Sequence, residues 1–163
     1  MWQLQLPAKI RIFAWKACLD RLPTRLNLAK RGVRVEAECP LCEKAMESTS
    51  HALIYCDKLC EVWWNWQDCP INLLVGNMCL VDLALKILDA GSPRDLETLF
   101  ATTCAIWFNR NQVVHEAKCS PHSQIWNLRC VLKRTTRMPY CIIMLSSRPE
   151  MLVGRHLLRK FIR

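Results

Sequence analysis

The chain has 163 residues, 52% hydrophobic and 23% charged, the composition of a folded globular protein and not of a charge-rich disordered one. Its eleven cysteines would suit a secreted disulfide scaffold, but the N-terminal run Met1-Trp2-Gln3-Leu4-Gln5-Leu6-Pro7 has no charged n-region, apolar core or cleavage site. The expected setting is therefore intracellular and reducing, with nucleus and cytoplasm both open. The formal charge of +9 is unevenly placed: residues 1–34 carry a net +7, residues 35–128 a net −6 and residues 129–163 a net +8. Two basic ends around an acidic middle point to a polyanionic partner, nucleic acid before membrane, against the plain alternative of a solubilising basic surface.

With 4 Gly and prolines set between apolar stretches, the chain reads as all-α. Residues 7–20 form the first predicted helix, with Pro7 in its first turn and Ile10, Phe13, Ala14 and Ala17 on one face. Pro23-Thr24 then opens a short helix over 25–31, closed by Gly32 as a C′ glycine, so the two make a helical hairpin. Further helices are predicted over 57–66, burying Val62 and some of Trp63, Trp64 and Trp66, and over 80–89. Ser92-Pro93-Arg94-Asp95 reads as an N-cap with Pro93 at N1 and Asp95 at N3. It starts the longest helix, whose apolar face is Leu96, Leu99, Phe100, Thr103, Ile106 and Trp107 and which runs to about His115. A last helix begins near Ser120-Pro121 and carries Ile125, Leu128, Val131 and Leu132. From Met138 onward the sequence reads as an irregular basic tail. The longest apolar tract, residues 71–88, is broken by Asn72, Asn77, Asp82 and Lys86 and makes a poor membrane span.

Between the hairpin and the helix at 57 lies the pattern C-x2-C-x8-H-x4-C, formed by Cys39, Cys42, His51 and Cys56. Three thiolates and an imidazole suit one tetrahedral Zn²⁺, with the four ligand atoms expected within about 4 Å of one another. Four protein ligands leave no open position, so such an ion would be structural and would not activate water. Cys60, four residues beyond Cys56, is the rival for the place of His51. Cys18, Cys69, Cys79, Cys104, Cys119, Cys130 and Cys141 show no paired ligand spacing and read as ordinary buried or reduced residues. Glu47 is a candidate partner for the second nitrogen of His51, against the plainer reading of a solvated acid. His115, His122 and His156 read as surface histidines, and no catalytic constellation is present in the sequence.

The order of ligands resembles a retroviral zinc knuckle with a lengthened central loop. Taken with its flanks, residues 6–16, Arg21-Leu22-Pro23-Thr24, residues 28–32, Glu47-Ser48, His51-Ala52-Leu53 and Val62-Trp63, it is similar to the zinc-binding domain that follows the polymerase in plant non-LTR retrotransposon polyproteins. That resemblance covers roughly residues 2–66. Residues 105–111 and Val114-His115-Glu116 resemble the linker that leads, in such polyproteins, to a ribonuclease-H-like domain.

The organisation expected is a reverse-transcriptase-type zinc-binding domain over 1–66, a helical linker region over 67–137 and a basic tail over 138–163. The function expected is a non-enzymatic, zinc-stabilised module of retrotransposon origin that assists RNA or DNA binding, with other retroelement domains as further partners. Six acids against Lys44 and Lys58 over 35–61 would repel phosphate, so the nucleic-acid footprint falls on the hairpin: Lys9, Arg11, Lys16, Arg21, Arg25, Lys30, Arg31 and Arg34. The alternative is a structural or protein-interaction module with no nucleic-acid binding of its own.

Overall fold

The computed structural model describes residues 4–74 and 78–134, and the basic tail, Cys141 and His156 lie outside them. Two helices make the N-terminal hairpin, α1 (Ala8–Cys18) and α2 (Arg25–Lys30). Pro7 sits extended before α1, and the helix buries Ile10, Phe13, Ala14 and Ala17, the face expected from their spacing. Thr24 caps α2 by accepting from the Asn27 N–H at 3.2 Å. At the other end Gly32, at φ +81°, makes a Schellman turn in which Val33 N–H reaches Leu28 O at 3.1 Å and Gly32 N–H reaches Ala29 O at 2.9 Å. The buried amide of Asn27 donates to the carbonyls of Asp20 and Leu22, each at 3.0 Å, and so fixes α2 against the end of α1.

A loop closed by the antiparallel bridge between Glu38 and Met46 leads into a π-helical turn (His51–Tyr55), a short 3₁₀ turn (Asp57–Leu59) and α3 (Cys60–Trp64). The expected helix over 57–66 is thus two short pieces. Of its tryptophans Trp63 and Trp66 are buried, whereas Trp64 is 67% exposed. The indole N–H of Trp63 finds the Leu53 carbonyl at 3.2 Å.

Helix α4 (Leu80–Ala90) buries Leu80, Leu83, Ala84 and Ile87, and α5 (Pro93–Glu116) follows after Gly91. A Cβ on Gly91 would stand 2.8 Å from Pro70 Cγ and 2.8 Å from the Asp95 carboxylate, so the turn accepts only glycine without a shift. The Asp95 carboxylate accepts from the Ser92 N–H at 2.8 Å, as the N-cap pattern predicts. The sequence describes α5 as amphipathic, but every residue from Leu99 to Trp107 is buried. The reason is position: α5 packs against α1, α4, the π turn and α6 (His122–Arg134). On α6 Ile125 is buried and Leu128 partly so, while Val131, expected on the same face, is 52% exposed. One continuous apolar core runs from Leu6 through the hairpin, the ligand loop and α4 to Ile125. Among the described residues no helix is long and apolar enough to cross a membrane.

Candidate metal centre

The four expected ligands come from two local structures. In the first, Cys39 and Cys42 flank a tight turn in which Glu43 N–H donates to Cys39 O at 2.9 Å and Cys39 N–H donates to Ala45 O at 2.7 Å. Glu43 closes this turn in the left-handed region, at φ +56°. In the second, His51 opens the π turn and Cys56 ends it. Residues five apart on an α-helix lie about 140° from one another around the axis, too far to share an ion. The wider turn, closed by Cys56 N–H to His51 O at 3.0 Å, brings Cys56 back beneath His51. Ser48 fixes the start of this turn, its hydroxyl accepting from His51 N–H at 3.1 Å.

The ligand atoms of Cys39, Cys42, His51 and Cys56 all lie within 4.8 Å of one another, a little wider than the 4 Å expected for the set as a whole. Two of the pairs lie close to a tetrahedral edge: Cys39 Sγ to Cys56 Sγ is 3.9 Å and Cys42 Sγ to His51 Nε2 is 3.3 Å. Zn–S bonds of about 2.3 Å and Zn–N bonds of about 2.0 Å imply edges of roughly 3.5–3.8 Å. Cys39 and Cys56 are fully buried, Cys42 nearly so and His51 half-buried. The donor set and its spacing fit one zinc ion. Cys60, the rival ligand, lies on α3 outside this group.

The protein groups alone already favour a thiolate here. A hydrogen bond from Cys56, joined by one from His51 and by the Cys42 and Leu41 backbone amides, holds the Cys39 thiol down at about 3 against the opposing effect of burial. Cys56, as donor to Cys39 and buried, is pushed up. Hydrogen bonds to Cys39 and Cys42, opposed by burial, raise His51 to about 9. Protons shared in this way are the ones a divalent cation displaces on binding.

Cys18 and Cys104 are inert by contrast, both pushed up to about 12 by burial. Cys79, Cys119 and Cys130 are exposed free thiols, within the expectation of buried or reduced residues. His122 is half-buried with its Nδ1 2.6 Å from the Glu61 carboxylate, while His115 is exposed as expected.

Glu47 is neither a solvated acid nor a partner of His51. Its side chain is 0% exposed, and the guanidinium of Arg110 meets it through Nε to Oε1 at 2.7 Å and Nη2 to Oε2 at 2.6 Å. The backbone N–H of Arg25 adds a third donor at 2.6 Å. Arg110 was missed because residues 105–111 resemble a linker; here they form the middle of the buried helix. A cation inside an apolar helical run was the signal that it needed a partner.

The basic residues of the hairpin divide by exposure. Lys30, Arg31 and Arg34 are exposed, whereas Lys9, Arg11, Lys16, Arg21 and Arg25 are half-buried. The Arg25 guanidinium is already engaged with the Glu38 carbonyl at 3.2 Å.

A closed site of three cysteines and one histidine, stapling a loop onto a small helical domain, defines the class: a structural zinc-binding domain. Residues 1–63 match the family described as zinc-binding in reverse transcriptase. Comparison with curated proteins and with solved structures returned no significant match.

Proposed function

We propose that the chain is a non-catalytic module, derived from a retrotransposon reverse transcriptase, in which one structural zinc supports electrostatic binding of RNA or DNA. The observation that carries this reading is the exposed basic corner of Lys30, Arg31 and Arg34 at the end of α2, beside the exposed Val33 and Val35. Zinc held by three thiolates leaves the metal centre itself at a net −1, and Glu36, Glu38, Glu43, Asp57 and Glu61 around it are exposed. Phosphate is therefore expected at the hairpin and not at the metal. The half-buried cations of α1 supply field but fewer direct contacts.

The test is a titration of labelled single-stranded RNA and DNA against the zinc-loaded chain at several salt concentrations. Three phosphate contacts give a slope of log K on log salt near −2 for single strands. Replacing Lys30, Arg31 and Arg34 together by Gln should remove most of that slope. Binding with no salt dependence, or binding untouched by the triple change, rejects the reading.

A second reading, a structural or protein-interaction module, is favoured by one feature. Exposed Trp64 borders an open cleft of about 530 Å³ lined by Trp63, Trp66, Ile71 and Leu73, with Asp68 close by in sequence. An aromatic cleft without cations suits a protein surface better than phosphate.

A further inference from the structure

The family match ends at residue 63, yet the ligand loop is not satisfied by the residues within it. Glu47 lies between Cys42 and His51, and it is held from three directions. Its N–H donates to Ala37 O at 2.8 Å, its carbonyl accepts from Leu26 N–H at 3.3 Å, and its carboxylate takes the Arg25 N–H. The remaining capacity of that carboxylate is filled by the fork of Arg110, 63 residues away on α5. Arg110 is itself set in place: Nη1 donates to Asn111 Oδ1 at 3.1 Å, and the guanidinium lies 4.9 Å from the centre of the Trp107 ring.

A carboxylate cannot be withdrawn from water without a partner that matches it. Arginine offers two parallel N–H groups to two oxygens, a geometry lysine cannot reproduce. The buried position of Glu47 therefore presupposes α5 in its docked place. The residue after Glu47 is Ser48, whose hydroxyl and carbonyl accept from His51 N–H and Ala52 N–H and start the π turn. A shift of Glu47 is passed directly to the backbone that aims His51.

We infer that Arg110 is a positioning residue of the metal centre, so that the zinc-competent form of the loop depends on α5, outside the segment that matches the family. Residues beyond 63 then complete the zinc-binding fold and do not merely follow it. The dependence is reciprocal: zinc binding favours the docked α5, and docking favours zinc. The inference rests on the metal site and is independent of any nucleic-acid binding.

The test uses the full chain and two readouts, zinc affinity by competition with a chromogenic chelator and the thermal midpoint of the helical signal. Arg110→Met should weaken zinc about 10- to 100-fold, the range seen when a group that orients a ligand is removed. Leu83→Ala, in the buried face of α4, provides a control that lowers stability without touching the ligand loop. It should lower the thermal midpoint, and zinc release on heating with it, while zinc affinity measured at a temperature where both chains are folded stays near that of the parent. Should Arg110→Met fail to fold, Arg110→Lys decides in its place, since it keeps the charge and loses the fork; a zinc affinity equal to the parent's overturns the inference. So does a folded Arg110→Met chain with unchanged affinity, or a Leu83→Ala chain that loses zinc as severely as the Arg110 variant.

Discussion

Phe100 is fully buried in α5, the helix around which the hairpin, the ligand loop, α4 and α6 are arranged. Phe100→Ala removes a ring from a closely packed interior, and the lost transfer energy and the cavity together are expected to cost about 3–5 kcal/mol. A domain of this size has a total stability of about 5–15 kcal/mol, so the change removes a large share of it. At about 3–5 °C per kcal/mol the thermal midpoint should fall by roughly 9–25 °C. Because one apolar core joins α5 to the ligand loop, zinc release should move with it. Far-UV circular dichroism and release of zinc to a chromogenic chelator, followed in the same heating scan, are expected to shift together. Val131→Ala, at a position 52% exposed, should change either midpoint by no more than about 0.5 kcal/mol equivalent. A helical midpoint that falls while zinc release stays in place would refute the single core, as would a Phe100 variant no less stable than the Val131 control.

The metal reading and the loop backbone each yield a sharper test. Cys42→Ser should abolish binding of the expected one zinc per chain and loosen the hairpin and loop, whereas Cys60→Ser should retain the metal; zinc analysis of the two purified variants decides between His51 and Cys60 as the fourth ligand. Glu43 occupies the left-handed region at φ +56°, where a side chain costs roughly 1–2 kcal/mol, so Glu43→Gly should be neutral or slightly stabilising after the entropy of glycine is set against it. Glu43→Val should be less stable than both, because a β-branched side chain fits that region worst. Chemical denaturation of the three chains orders them, and a valine variant as stable as the glycine one contradicts the turn geometry.

What could be read in the sequence was local. The hairpin announces itself through Pro7, Thr24 and Gly32, which act on backbone within a turn of themselves, and the zinc loop through soft ligands at fixed spacing. The Ser92–Asp95 cap is legible for the same reason. The surroundings of α5 were not. Thr102, Asn109, Arg110 and Asn111 suggest a wet face, yet all are buried, as is Thr103. Thr103 hides its hydroxyl by donating to Leu99 O at 3.0 Å on its own helix, and Arg110 hides its charge against Glu47. The first device leaves no trace in spacing, and the second joins residues 63 apart. Likewise nothing in a run containing Trp63, Trp64 and Trp66 says which ring faces out, since that is set by how α3 meets α6 and the π turn.

The same contacts connect the metal to the surface proposed to bind nucleic acid. Glu47 sits in the loop that Cys39, Cys42 and His51 would close around zinc, and its carboxylate and carbonyl take the first two N–H groups of α2, those of Arg25 and Leu26. A carboxylate at that end also suits the positive pole of the helix. Only six residues long, α2 ends in Lys30, followed by Arg31 and the Schellman turn that turns the chain toward Arg34. Zinc in that loop would therefore act on the basic corner without facing it: by fixing Glu47 it would fix the start of α2, and a helix that short would carry the constraint to its other end. Fixed cations lose less freedom when a phosphate strand binds than mobile ones do. If phosphate binds at that corner as proposed, the ion would contribute orientation, the buried Glu47–Arg110 pair would keep one acid away from the strand, and the attraction itself would come from side chains that touch neither.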